Sequence, residues 1–335
     1  MKFTKMHGCG NDYIYVNGFE ERVEEAGKPE LARRLSHRQH GIGADGLIFI
    51  NPSSAADFEM EMYNADGTRA QMCGNGIRCV GKYVYDKGMT DGPYITVESG
   101  GQIKHLELLL QGYAGQRDVH TQHKEPSGEE EERSGQRGAE TECKELSDAD
   151  REHGKPAGIE SEHVERYESG KEVMYVRVNM GSPILTPSLI PVEAEGNQAV
   201  NVPIAAGGSE FHMTCVSMGN PHAVIFAQDV RKMALDGIGP LLEHHVRFPE
   251  RVNTEFVEVL DREHCFLRVW ERGTGETLAC GTGACAAVVA AVLNDLTQNR
   301  VTVTMSGGEL LIEWDRERNI VHMTGPAVTV FEGRI

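Results

Sequence analysis

The sequence predicts a mixed α/β (α+β) fold of two similar domains from a duplication, each a sheet or half-open barrel wrapped around one central helix. Three observations predict it. Cys73-Gly74-Asn75-Gly76-Ile77-Arg78-Cys79 recurs as Cys280-Gly281-Thr282-Gly283-Ala284-Cys285, and each copy follows a strand-like run and opens a helix-like one. The offset of 207 residues from Cys73 to Cys280 also lays Tyr63-Asn64 over Trp270-Glu271, and Gly10-Asn11 returns as Gly219-Asn220. Landmarks repeated in matching order mark a duplication. Finally, Ala284 to Val292 is apolar nearly all round, which describes a helix buried on most sides.

Along the chain, the β-rich or alternating runs are Tyr13 to Val16, Phe58 to Tyr63, Tyr94 to Glu98, Val173 to Met180 and Ala223 to Phe226. Thr254 to Leu260, Cys265 to Trp270, Val301 to Met305, Leu310 to Trp314 and Val328 to Phe331 continue the pattern. Helical patterns are fewer: about Glu30 to His37, Gly76 to Tyr85, Val230 to Glu243 and Gly283 to Leu296. The stretch from Lys124 to Glu172 holds Glu129-Glu130-Glu131-Glu132 and almost no large apolar residue. It has too little to bury to offset its ordering entropy, so it reads as a solvated surface insertion. The expected division is 1–118, an acidic insertion at 119–172, and 173–322.

Composition narrows the function. The chain has 335 residues, enough for two ordinary domains, with 39% hydrophobic and 25% charged residues. A net charge of −18 argues against a nucleic-acid surface. No apolar run approaches the roughly 20 residues of a membrane span, and the start lacks a signal-like stretch. A cytoplasmic protein with neither nucleic acid nor membrane as partner is the expectation. The eight cysteines are scattered and read as thiols rather than disulfides. Neither Cys73/Cys79 nor Cys280/Cys285 has the two-residue gap of common zinc pairs, so no metal is expected. Cys79, Cys285, Cys9, Cys143, Cys215 and Cys265 read as ordinary small residues.

Cys73 and Cys280 are different, because each stands at the start of a helix. Unpaired N–H groups and the helix dipole favour an anion there, so such a thiol is expected to lose its proton more easily than a free one. The flanking glycines let backbone amides approach and cradle a carboxylate or phosphate. If the halves face each other, two thiols meet across one cleft. One can take a proton from one face of a carbon while the other delivers a proton to the opposite face, which is racemase chemistry. Around them, Asn11, Asn64, Asn220 and Asn253 offer donors and acceptors suited to a zwitterion. Arg272 offers a fork for a carboxylate and Glu271 an acceptor for an ammonium group. His222 either tunes a thiolate or is a satisfied structural histidine. His7, His37, His40 and Arg69 carry no specific signal. Gly41-Ile42-Gly43-Ala44-Asp45-Gly46 lacks the βαβ setting of a dinucleotide loop.

Taken together, Met6-His7-Gly8-Cys9-Gly10-Asn11-Asp12, Asn64-Ala65-Asp66-Gly67, Met72-Cys73-Gly74-Asn75-Gly76, Gly219-Asn220-Pro221-His222, Glu271-Arg272-Gly273 and Ala279-Cys280-Gly281-Thr282-Gly283-Ala284-Cys285 resemble the motif series of the diaminopimelate epimerases. The resemblance spans both halves in order. It implies a cofactor-independent epimerase converting LL- to meso-diaminopimelate for lysine and peptidoglycan synthesis, often a homodimer. It also implies two β-barrel-like domains, with a strand at about 323–335 returning to the first. Carried over by position, Cys73 and Cys280 would be the acid/base pair. Gly74-Asn75 and Gly281-Thr282 would hold the reacting carboxylate. Asn11, Asn64, Asn220, Asn253 and Arg272 would bind the substrate and its distal carboxylate, and Glu271 the distal ammonium. His222 and Glu271 would influence the thiols. Two features depart from the pattern: Gly46 stands where some members have Gln, and the acidic insertion is foreign to it. The alternatives are a proline or hydroxyproline racemase of the same architecture, in which His rather than Asn75 would follow Gly74, and a non-catalytic thiol or ligand-binding protein.

Overall fold

The structure, a computed structural model, describes residues 1–70, 73–110 and 172–335. The segment read as an acidic insertion lies outside the described residues apart from Glu172. The first half contains β1 (Lys2–Gly8), β2 (Asn11–Asn17), α1 (Lys28–Ser36), β3 (Gly46–Asn51), β4 (Phe58–Asn64), β5 (Arg69–Ala70), α2 (Gly74–Asp86), β6 (Tyr94–Ser99) and β7 (Gln102–Leu110). The second contains β8 (Val173–Gly181), β9 (Val202–Ala206), β10 (Ser209–Ser217), β11 (Pro221–Phe226), α3 (Leu235–Glu243), β12 (Asn253–Val259), β13 (His264–Glu271) and β14 (Gly275–Thr277). It continues with α4 (Gly281–Leu293), β15 (Arg300–Met305), β16 (Gly308–Asp315), β17 (Ile320–Pro326) and β18 (Val328–Arg334).

The strand pairings repeat sense for sense. In the first half β1–β2 is antiparallel, β2–β3 parallel, β3–β4 and β4–β5 antiparallel, β4–β6 parallel, and β6–β7 and β7–β8 antiparallel. The second half runs the same series from β10–β11 through β16–β17. Each parallel pair is separated by a helix, as parallel strands require a crossover. The halves join where β8 pairs with β17. β18 lies antiparallel on β1 as β9 lies on β10. The returning strand therefore begins at Val328 rather than 323; residues up to Pro326 belong to β17, between β16 and β8.

α2 and α4 are the core helices. The main hydrophobic cluster takes Ile77, Val80 and Val84 from α2 and Ala284 to Ala290 from α4. Burying each Val or Ile stabilises by roughly 1.5–3 kcal/mol. Small residues set how closely these helices approach the sheet: a Cβ on Gly81 would meet Leu108 at 2.9 Å. The helix expected over Val230 to Glu243 is interrupted. Asp229 adopts a left-handed φ of 52°, a single 3₁₀ turn spans Val230–Lys232, and Met233 is extended before α3 begins. α4 stops at Leu293 because Asp295 turns left-handed at φ 56°. Strands β1, β3, β5, β7, β9, β10, β14 and β17 lie outside the β-runs that the local pattern marks. Buried runs such as Gly46–Asn51 lack the alternation that marks a half-exposed strand.

Candidate active site

Cys73 and Cys280 occupy equivalent positions as the N-cap residues of α2 and α4. Their backbones match, at φ −136°, ψ 113° and φ −125°, ψ 113°, and each thiol sulfur accepts from the N–H three residues on, Gly76 and Gly283, at 3.3 Å. Both are free thiols, Cys280 buried and Cys73 partly so. The two helix starts meet. A Cβ built on Gly74 would lie 3.8 Å from Gly281 Cα, and Asn75 Nδ2 donates across to Ala279 O at 3.3 Å, the residue before Cys280. Asn75 Oδ1 is buried without a hydrogen-bond partner, an unmet acceptor between the two turns.

On the Cys73 side, Asn11 Oδ1 accepts from the thiol at 3.3 Å and lies 3.5 Å from Asn75 Nδ2. Asn11 is aimed by Asp45, whose carboxylate takes its Nδ2 at 2.7 Å and is itself held by Arg38 at 2.8 Å. The buried Tyr13 hydroxyl also acts on the Cys73 sulfur, favouring its thiolate. On the other side, Thr282 Oγ1 is 3.4 Å from Cys280 Sγ and accepts from Asn220 Nδ2 at 3.3 Å. His222 Nε2 lies 3.0 Å from Asn220 Oδ1, and its Nδ1 lies 2.7 Å from Glu255 Oε1. His222 and Glu255 are both fully buried. Gly283 is required by this arrangement, since a Cβ there would stand 2.7 Å from Glu255 Oε1.

Glu271 ends β13 and sets its charge against the Cys280 thiol, while Thr277 Oγ1 donates to its carboxylate. The Glu271–Gly273 turn is anchored from below. Glu243 accepts from Trp270 Nε1 at 2.9 Å and Gly273 N at 2.8 Å, and Asn253 Oδ1 accepts from Arg272 N at 2.8 Å. Asn253 also donates to Pro221 O, so both ends of its amide serve the scaffold. Arg272 Nη1 reaches Glu250 O at the rim. Asn64 donates to Thr68 in its own turn, and among the described residues no hydrogen bond links it to either thiol. The structure thus gathers Cys73, Asn11, Gly74 and Asn75 against Cys280, Gly281, Thr282, Asn220, His222 and Glu271. Asn253 and Arg272 stand behind or beside that group, and Asn64 stands apart.

The expectation of lowered thiol pKa values is corrected. Burial pushes the Cys73 thiol up, outweighing donors from Gly76, Tyr13 and Asn75, with the Glu271 charge adding to the rise. Burial pushes Cys280 well above its ordinary value, and the Glu271 and Glu255 charges add to this against help from Thr282 and Gly283. The helix termini favour the thiolates, but desolvation is the larger effect. Glu271 is itself raised by burial. Tyr13, Asp45, Glu243, Glu255 and Thr277 were missed from sequence. For Glu255 there was a signal, an acid inside the apolar run Thr254–Val259, where an unpaired charge is costly; the others carry none. Among the described residues, no group of three or more His, Cys, Asp or Glu is arranged to hold a metal ion, and no helix is long and apolar enough to cross a membrane.

The fold matches a phenazine biosynthesis protein of Bacillus anthracis with a TM-score of 0.60 at 13% identity, over 100% of this chain and 98% of that one. It matches a hydroxyproline epimerase of Agrobacterium vitis with a TM-score of 0.59 at 11% identity, over 100% and 90% of the two chains. At these identities the likeness is one of fold. Duplicated α/β halves with facing, cysteine-capped helix starts define the class: an isomerase of the epimerase and racemase architecture. The diaminopimelate epimerase family model matches residues 3–113 and 214–330. A diaminopimelate epimerase of Acetivibrio thermocellus is 47% identical over 335 residues, 100% of this chain and 98% of that one. The chain belongs to the diaminopimelate epimerase family.

Proposed function

We propose that this protein epimerises LL-2,6-diaminopimelate to the meso isomer by a two-thiol, cofactor-independent mechanism. One observation carries the reading: Cys73 and Cys280 cap facing helix starts that Asn75 bridges. The reacting carboxylate rests on the amides of Gly74-Asn75 and Gly281-Thr282. One cysteine, as thiolate, takes the α-hydrogen as a proton. The C–H bonding pair passes into the carboxylate as an enediolate, and the opposite thiol gives its proton to the other face of the same carbon.

The surroundings divide the roles at rest. Cys73 has Tyr13, Gly76 and Asn75 as donors, which support a thiolate, whereas Cys280 faces the charges of Glu271 and Glu255, which support a thiol. A thiolate formed in so buried a place is a strong base. Glu271, raised by burial and close enough for its charge to act on Cys280, is a group on which that thiol's proton can rest when the direction reverses, Cys73 then holding the proton it took from the substrate. Asn11, Asn220 and Arg272 serve the substrate and its distal carboxylate and Glu271 its distal ammonium, while Asn253 acts by holding the Arg272 peptide and Asn64 by shaping the turn at the end of β4. His222 acts through Asn220 and Thr282 rather than by touching the sulfur. The reaction belongs to lysine and peptidoglycan synthesis in the cytoplasm, and the working form is a homodimer.

The test uses purified protein and LL-diaminopimelate in deuterium oxide. The expected result is solvent deuterium at the inverted α-carbon, without added cofactor and after thorough chelation. Cys73→Ala and Cys280→Ala should each nearly abolish it. Substantial epimerisation by both variants would remove the paired-cysteine mechanism.

A further inference from the structure

Arg78, on α2 one turn after Gly74, is fully buried. Among the described residues every hydrogen bond of its guanidinium goes to a neutral acceptor. Nε donates to Pro326 O at 3.2 Å and Nη1 to Gly74 O at 3.3 Å, while Nη1 and Nη2 lie 3.6 Å from Met323 Sδ and Cys9 Sγ. Cys9 is a neutral partner because burial pushes its thiol up more than Arg78 draws it down. The other ionisable groups that feel this charge are the buried thiols Cys79, on the same helix, and Cys285, on α4, both raised. A buried arginine is ordinarily paired with a carboxylate, because an unpaired buried charge is strongly unfavourable.

The pocket is built for the cation. A Cβ on Gly8 would stand 2.8 Å from Nη2, and one on Gly325 would stand 3.0 Å from Nε. Its location is equally specific. Met323 touches the guanidinium on one side, and on the other its methyl and sulfur lie 3.2 Å and 2.9 Å from where Cβ atoms of Gly74 and Gly281 would be. The charge therefore sits one side-chain layer beneath the floor where the two helix starts meet, and it holds the first carbonyl of α2.

We infer that Arg78 is a positioning residue whose counter-charge is the substrate's reacting carboxylate and, more strongly, the enediolate formed from it. This rests on Gly74-Asn75 and Gly281-Thr282 being the carboxylate cradle. The charge steadies the Gly74 peptide and adds to the potential of both helix termini at the point where negative charge develops. A donor touching such charge is worth roughly 10²–10³-fold in kcat, so a cation one layer behind it should be worth roughly 10–100-fold.

The experiment compares wild type, Arg78→Met and Arg78→Lys for kcat, KM and thermal midpoint with LL-diaminopimelate. The expected result is a roughly 10–100-fold fall in kcat for Arg78→Met with a smaller change in KM, because the enediolate carries more charge than the bound carboxylate. Arg78→Lys should restore most of kcat while lowering the midpoint about as much as Met does. Arg78→Met retaining kcat within about twofold, or Lys recovering no more than Met, would reduce Arg78 to a packing residue. If Arg78→Met does not fold, Arg78→Gln against Arg78→Lys applies the same criterion. A wild type inactive on diaminopimelate fails the epimerase reading instead, whatever the variants do.

Discussion

Replacing Cys280 by serine and by alanine separates the stability role of this residue from its chemistry. Its sulfur accepts the buried Gly283 N–H at 3.3 Å. Alanine leaves that donor unmet, and an orphaned buried N–H costs about 1–3 kcal/mol. Serine restores a stronger acceptor in the same N-cap geometry and should hold stability within about 0.5 kcal/mol of wild type. At Cys73 the matching bond from Gly76 is only partly buried, so water can replace the sulfur and alanine should cost about 0.5–1 kcal/mol. The order of thermal midpoints is then Cys280→Ala lowest, Cys73→Ala next, and both serine variants near wild type. Each kcal/mol corresponds to about 2–4 °C or less in a chain of this size. Activity should not follow that order, since a serine hydroxyl does not ionise near neutral pH and all four variants should lose α-hydrogen exchange. Calorimetry on the set and deuterium incorporation from LL-diaminopimelate check both halves. Serine variants as unstable as alanine ones would refute the capping argument. Serine variants keeping more than about 1% of activity would refute the need for thiol ionisation.

Three further outcomes are expected. Gly283→Ala drives a methyl to within 2.7 Å of Glu255 Oε1 and should cost far more activity than Gly76→Ala, whose methyl meets the terminal Cδ1 of Ile48 at 2.9 Å and Cys73 only at ordinary contact distances of 3.4 Å and beyond; equal losses in steady-state assays would contradict this. Tyr13→Phe removes a donor to Cys73, so the thiolate limb of the pH profile of kcat/KM should move to higher pH, and an unmoved limb would mean the hydroxyl does not act on the sulfur. Stability should fall in alkali. Burial pushes Cys79 up to about 11 and Cys215, Cys265 and Cys285 up to about 12. The folded state therefore holds these protons longer than the unfolded chain, and the stabilisation, full below the unfolded thiol pKa, is lost as pH rises from about 9 to about 12. Cys265→Ala should flatten part of that slope in melts taken across this range, and an unchanged slope would oppose the assignment.

Much of this was legible in the sequence because it is carried by short-range chemistry. A cysteine flanked by glycine before an apolar helix announces a cap, and two copies announce a duplication. The Asn, Glu and Arg of the site stand at strand ends that the β-patterns located. What escaped depends on register and burial, which no local window contains. Glu255 meets His222 because β11 and β12 run parallel with His222 opposite Asn253, which places the acid two residues further along. Asp45 orients Asn11 across another parallel pair, β2 with β3. The thiols are raised because burial desolvates both helix starts, an effect that exists only in the folded chain. Asn64 was grouped with the site by its position at the end of β4, yet the turn to Thr68 holds its amide.

The pairing of β18 with β1 imposes an order on synthesis. β1 ends at Gly8 and one of its two neighbours, β2, is made at once, but the other does not begin until Val328. At about 5–20 residues per second, β1 waits roughly 16–60 s with one row of N–H and C=O groups unpaired. Such an open edge is a template for pairing with another chain. The second half has no such delay, because β9 immediately precedes β10. The half that emerges first from the ribosome is therefore the half that closes last. A nascent chain arrested before Val328 should present that bare edge to chaperones and to its neighbours on the same message.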